Sequence, residues 1–114
     1  MSQIVGITAR CIQAEGAANE ERDCLSHDWW EFLSELGLTP VLIPNRLPSP
    51  VDFLKSAGIT RLLLSSGNNL QPLPEETVNF GDFYPQRDRT ETELLSHAEK
   101  EGIPVFGVCR GMQM

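Results

Sequence analysis

The stretch that most constrains this chain is its last, Pro104-Val105-Phe106-Gly107-Val108-Cys109-Arg110-Gly111-Met112-Gln113-Met114. Val105 to Val108 is a short apolar run of the kind a buried strand makes, and it passes into Gly107-Val108-Cys109-Arg110-Gly111. One nucleophilic residue between two glycines at this spacing is a strand-to-helix elbow, because small flanking residues relieve crowding at a strained turn. An elbow lifts its central side chain above the C-terminal edge of a sheet, where α/β proteins collect ligands. A helix starting there aims its backbone N–H groups at Cys109 and favours the thiolate. The strand and the turn thus ask for a parallel sheet and an exposed nucleophile.

Upstream, apolar runs and helical periodicities alternate as such a sheet requires. Ile4 to Ala9 reads as a buried parallel strand, and Arg10 to Ala18 as a loop at its C-terminal end. From Asn19 to Leu36 the period is helical, with Leu25, Trp29, Phe32, Leu33 and Leu36 on one stripe and Gly37 as the stop. Val41 to Ile43 is a second strand. Ser49 caps a short helix with Pro50 at its first position, and Gly58 ends it. Arg61 to Leu64 is a third strand, Leu70 to Gln86 a long loop, and Asp88 to Lys100 a third helix. Alternation of this order predicts an α/β, doubly wound, flavodoxin-like parallel sheet with helices on both faces.

The balance of charges excludes several function classes. A net charge of −7 argues against nucleic acid or an anionic membrane as partner. No apolar run approaches the roughly 20 residues of a membrane span, and the N-terminus lacks the regions of a signal peptide. Cys11, Cys24 and Cys109 are odd in number and widely spaced, which suits neither a disulfide framework nor a zinc site. The expected setting is soluble, reduced and cytoplasmic, with no metal and no cofactor. The sequence ends five residues after Cys109, inside the expected elbow helix and without a C-cap signal. Residues 1–114 are therefore expected to be the N-terminal part of a single domain.

Gly107-Val108-Cys109-Arg110-Gly111-Met112-Gln113 resembles the nucleophile elbow of class I glutamine amidotransferase-like enzymes, in the flavour of their γ-glutamyl hydrolase branch. Three further segments resemble the same family. Ser65-Ser66-Gly67-Asn68-Asn69 is similar to its T-G-G-x-D segment, with Ser66 in place of the first glycine and Asn69 in place of the aspartate. Arg87-Asp88-Arg89-Thr90-Glu91 is similar to its R-D-x-x-E. Asn19-Glu20-Glu21-Arg22-Asp23, with Trp29, Glu31, Phe32 and Leu33 following, completes a likeness over nearly the whole chain.

As nucleophile, Cys109 would attack the γ-carbonyl of a glutamyl group and form a thioester. The N–H of Arg110, next after the nucleophile, would donate to the oxyanion. The resemblance carries the second donor to Gly67. It also makes Gln113, one helical turn past Cys109, a contact of the glutamyl moiety, with Asn68 a further candidate. Two uses of Arg87 and Glu91 stay open. Asp88 and Glu91 have capping-box spacing, whereas Arg87 at the active-site edge could bind a substrate carboxylate or phosphate. Glu91 shares the stripe of Leu94, Leu95 and Ala98, which faces the sheet.

Neither histidine suits a base: His27 points to water, and His97 sits late in its helix. The resemblance places the family's histidine and glutamate partners beyond residue 114. It implies hydrolysis of a small-molecule γ-glutamyl amide. The alternatives are a glutamine amidotransferase feeding ammonia to a synthetase partner, and an inactive interaction or folding fragment. The 114 residues alone are expected to show no turnover and, with a sheet edge open, to self-associate.

Overall fold

A computed structural model describes residues 3–13, 20–65 and 84–107. Four strands form one parallel sheet: β1 (Gln3–Thr8), β4 (Leu38–Ile43), β5 (Arg61–Leu64) and β6 (Val105–Gly107). Their spatial order is β4-β1-β5-β6. Counting parallel strands alone, that is 2-1-3-4, the opening of the flavodoxin-like order expected from the sequence. The chain leaves β1 toward one side and later returns to its other side, so the order reverses between β1 and β5.

The helices divide between the two faces. On one face α1 (His27–Glu35) covers Val5, Ile7 and Leu63 through Leu33, with Trp29 and Trp30 packed beside it. On the other, α2 (Pro50–Ser56) and α3 (Pro85–Glu101) bury Leu54, Leu94 and Ala98 against Ile43, Ile59 and Leu62. Gly6 belongs to this second face. A β-carbon there would lie 2.7 Å from Ile43 Cδ1 and 2.9 Å from Ile59 Cδ1, so the absence of a side chain lets both isoleucines close over β1. Among the described residues no helix is long and apolar enough to cross a membrane.

Several boundaries differ from the sequence expectation. Arg10 to Ala18 is not all loop: β2 (Arg10–Gln13) pairs antiparallel with β3 (Glu21–Cys24) in a two-stranded ribbon. The first helix starts at His27 rather than Asn19, since the Ser26 hydroxyl accepts from the N–H of Asp28 and caps it there. On this helix Trp30 packs toward the sheet, while Phe32 is 52% exposed and Leu36 58% exposed, outside the expected stripe. The second strand begins at Leu38, three residues early.

The start of α3 is a further correction. Pro85 occupies its first position after Tyr84, so Asp88 lies within the first turn and forms no capping box with Glu91. Proline's fixed φ pre-forms a helical start and needs no N–H partner there, which overrides the later Asp signal. Gly102 ends the helix as expected, in the left-handed conformation at φ 70°.

Candidate active site

The C-terminal ends of β1 and β5 lie where the strand order reverses, and a hydroxyl residue stands at each, Thr8 as the last of β1 and Ser65 directly after β5. The N-terminus of α3 arrives at the same edge, because the helix runs antiparallel to the strands. It brings Arg87 and Glu91, one turn apart. Thr8, Ser65, Arg87 and Glu91 are each fully buried.

Hydrogen bonds tie the four together. The Thr8 hydroxyl donates to Glu91 Oε2 at 2.6 Å and accepts from the Ser65 N–H at 3.0 Å. The Ser65 hydroxyl donates to the Thr8 carbonyl at 2.6 Å. Arg87 Nη2 then donates to the Ser65 carbonyl at 2.8 Å, to Ser65 Oγ at 3.0 Å and to Glu91 Oε2 at 3.3 Å. A buried ion pair is costly to desolvate unless hydrogen bonds satisfy both partners, and here both are bonded to strand ends.

Of the residues the sequence nominated, Arg87 and Glu91 are therefore brought together, but beneath the edge rather than on it. The expected substrate contact through the Arg87 guanidinium meets a side chain that is 0% exposed and committed to Ser65. Cys109, Arg110, Gln113, Gly67 and Asn68 lie outside the described residues. Their starting points are nevertheless defined. Strands β5 and β6 pair with Leu64 opposite Gly107. Gly67 follows Leu64 by three residues and Cys109 follows Gly107 by two, so both segments depart from neighbouring strands at one edge.

A second polar cluster, absent from the sequence reading, sits where the β2–β3 ribbon meets the end of β4. Asn45 donates through Nδ2 to Asp23 Oδ1 at 2.8 Å and to the Ala9 carbonyl at 3.2 Å, and its backbone N–H donates to Asp23 Oδ2 at 2.9 Å. Glu21 Oε2 accepts from Arg46 at 2.6 Å and from Gln86 at 2.7 Å. These residues and Cys11 line a cavity of about 60 Å³. Burial, and then the Asp23 carboxylate beside it, push the Cys11 thiol up to about 12. Cys11 is thus protonated at neutral pH and is no rival nucleophile.

Sequence reasoning missed Thr8 and Asn45, and quoted Ser65 and Asp23 only within family-like segments, with no role of their own. Thr8 and Ser65 had a faint signal, in that both apolar runs close on a hydroxyl. His27 is exposed, as expected. His97 is half-buried on α3, ten residues and so about 15 Å along the helix from Arg87.

The Peptidase C26 family profile matches residues 3–114. The chain is 30% identical over 111 residues to the γ-glutamyl-CDP-amidate hydrolase of Campylobacter jejuni, covering 96% of this chain and 52% of that protein. It is also 30% identical over 115 residues to the γ-glutamyl-γ-aminobutyrate hydrolase of Escherichia coli O157:H7, covering 96% of this chain and 43% of that protein. The chain thus spans about half the length of the curated relatives it matches.

Proposed function

The chain belongs to the Peptidase C26 family, of class I glutamine amidotransferase-like proteins, and from that premise we propose that the intact protein hydrolyses a γ-glutamyl amide through a thioester on Cys109. What supports the proposal is one register: Leu64 opposite Gly107 starts the Gly67 and Cys109 segments from adjacent strands, about 4.8 Å apart. A nucleophile and an oxyanion donor must share an edge in this way to act on one carbonyl.

The Cys109 thiolate attacks the γ-carbonyl carbon, and a C–S bond forms as the carbonyl π electrons move to oxygen. The N–H groups of Gly67 and Arg110 bind that oxyanion. Collapse reforms the carbonyl, breaks the C–N bond and releases the amine with a proton from the general acid. Water then adds to the thioester, and the free thiol and a γ-carboxylate leave. Gln113 and Asn68 contact the glutamyl group. The family resemblance implies a histidine base with a glutamate partner, a role for which His27, exposed on α1, and His97, far along α3, are not placed. The relatives carry names of both kinds, γ-glutamyl hydrolase and putative glutamine amidotransferase, so water or an acceptor synthetase as the final recipient is decided by assay.

The test is amine release from a γ-glutamyl anilide by the intact protein, with no ammonia acceptor present. Release is expected in the wild type and its loss in Cys109→Ser, with substrate still bound. A Cys109→Ser variant turning over at the normal rate would remove the nucleophile from the scheme.

A further inference from the structure

We propose that Arg87 and Glu91 are positioning residues that aim the oxyanion donor from below, and that neither touches substrate; this rests on the hydrolytic function proposed above. Both side chains are fully buried, so the pair offers no surface to a ligand. Arg87 instead donates to the carbonyl and the hydroxyl of Ser65, the last described residue of the segment that leads to Gly67, and Glu91 accepts from Thr8 beside it.

The lever is covalent. A peptide unit is planar, so fixing the Ser65 carbonyl fixes the plane of the bond that leads out of residue 65. Arg87 holds that carbonyl at 2.8 Å. Between that plane and the N–H of Gly67 only the two soft dihedrals of residue 66 intervene. The other end of Ser65 is held as well, through its N–H to Thr8, and Thr8 in turn donates to Glu91. Glu91 therefore sets two supports together: the strand β1 end through Thr8, and the guanidinium through the 3.3 Å contact.

Placement matters for this task besides charge. One Nη2 contacts the carbonyl, the hydroxyl and the carboxylate at once, and it is carried there by a rigid, planar guanidinium. A lysine would keep the charge on a flexible stem and lose that placement. The spacing in Arg87-Asp88-Arg89-Thr90-Glu91 suits the arrangement: an i, i+4 pair shares one helix face, which brings Arg87 to Ser65 and Glu91 to Thr8.

Positioning and substrate contact differ in what they do to rates. A displaced oxyanion donor is felt in the transition state, so kcat falls while KM holds; a lost substrate contact raises KM. The experiment compares wild type, Cys109→Ala, Arg87→Lys and Glu91→Gln of the intact protein on a γ-glutamyl anilide, with thermal melts alongside. Arg87→Lys is expected to lose about tenfold or more in kcat, with KM within about threefold, as small misplacements at a reacting centre do. If Arg87→Lys fails to fold, the nearly isosteric Glu91→Gln carries the same test and the same expectation. A raised KM with kcat kept would overturn the inference in favour of direct contact. A lowered melting temperature with both constants kept would reduce the pair to structure. Absence of Cys109-dependent release in the wild type would sink the hydrolytic function, and this inference with it; wild-type release matched by the variants would sink the inference alone.

Discussion

Thr8 and Ser65, at the ends of two parallel strands, hold one another by a reciprocal pair of hydrogen bonds: the Ser65 N–H donates to the Thr8 hydroxyl at 3.0 Å and the Ser65 hydroxyl donates to the Thr8 carbonyl at 2.6 Å. Strand ends at a topological switch point diverge, which opens a crevice but leaves backbone groups without ladder partners. Here two side chains complete the ladder where the backbone no longer can. The two strand ends thereby share one floor of side-chain hydrogen bonds.

Removing one hydroxyl tests that floor. Thr8→Val keeps the shape of the side chain and deprives both the Glu91 carboxylate and the Ser65 N–H of their partner. A loss of about 1–3 kcal/mol of unfolding free energy is expected, as for buried groups left unsatisfied. Thr8→Ser, which keeps the oxygen, should lose less. Equal urea midpoints for wild type and Thr8→Val would show that the hydroxyl is dispensable.

At the middle of β1, Gly6→Ala should destabilise by about 1–3 kcal/mol, the usual cost of overpacking a core. The new methyl would meet Ile43 at 2.7 Å and Ile59 at 2.9 Å, and both are buried with little room to give. Gly6→Ala combined with Ile43→Val removes the nearest carbon and should recover part of the loss. Thermal melts of the single and double variants decide the matter, and a neutral Gly6→Ala would contradict the close approach.

Cys11 makes a prediction about alkaline stability. Its folded thiol is raised from an ordinary 9.0 to about 12 by burial and by Asp23. Below pH 9.0 both states keep the proton, and the full contribution to stability is present. Between pH 9.0 and about 12 the unfolded chain releases its proton while the native one retains it, so unfolding becomes progressively easier. Denaturation midpoints should fall more steeply over that window in wild type than in Cys11→Ala. Parallel curves would place the thiol in water.

Gly67→Ala should cost about a hundredfold or more in kcat for the intact enzyme, since its N–H is proposed to approach the oxyanion closely and one such donor is worth that much. Amine release under substrate saturation measures it. A variant with the wild-type rate would move the donor elsewhere, Asn68 being the first candidate.

Much of the fold could be read from local chemistry. Ser49 and Pro50 define the start of α2, and the Ser49 hydroxyl accepts from the Asp52 N–H at 3.2 Å. Gly102 stops α3, and the run Arg61–Leu64 is a strand with the limits the sequence suggested. These features succeed because caps, glycine stops and apolar runs act within a few residues of chain. The Glu91 stripe with Leu94 and Ala98 was legible for the same reason, being a matter of helical period.

Nothing local announces the ribbon β2–β3. Glu21-Arg22-Asp23-Cys24 has poor strand propensity and would suit a helix; it is extended because Asp23 is bound by Asn45, and Glu21 by Arg46 and Gln86, all far away in sequence. Arg87 shows the same division. Its residue type, its helix and its family motif were all visible in the sequence, and they left a structural use and a substrate contact both open. Only the assembled sheet, with Thr8 and Ser65 brought to one edge by the reversal of strand order, supplies the acceptors that a buried guanidinium needs. Sequence determines which groups a segment can present; the partners that decide where a charge ends up exist only once distant strands have met.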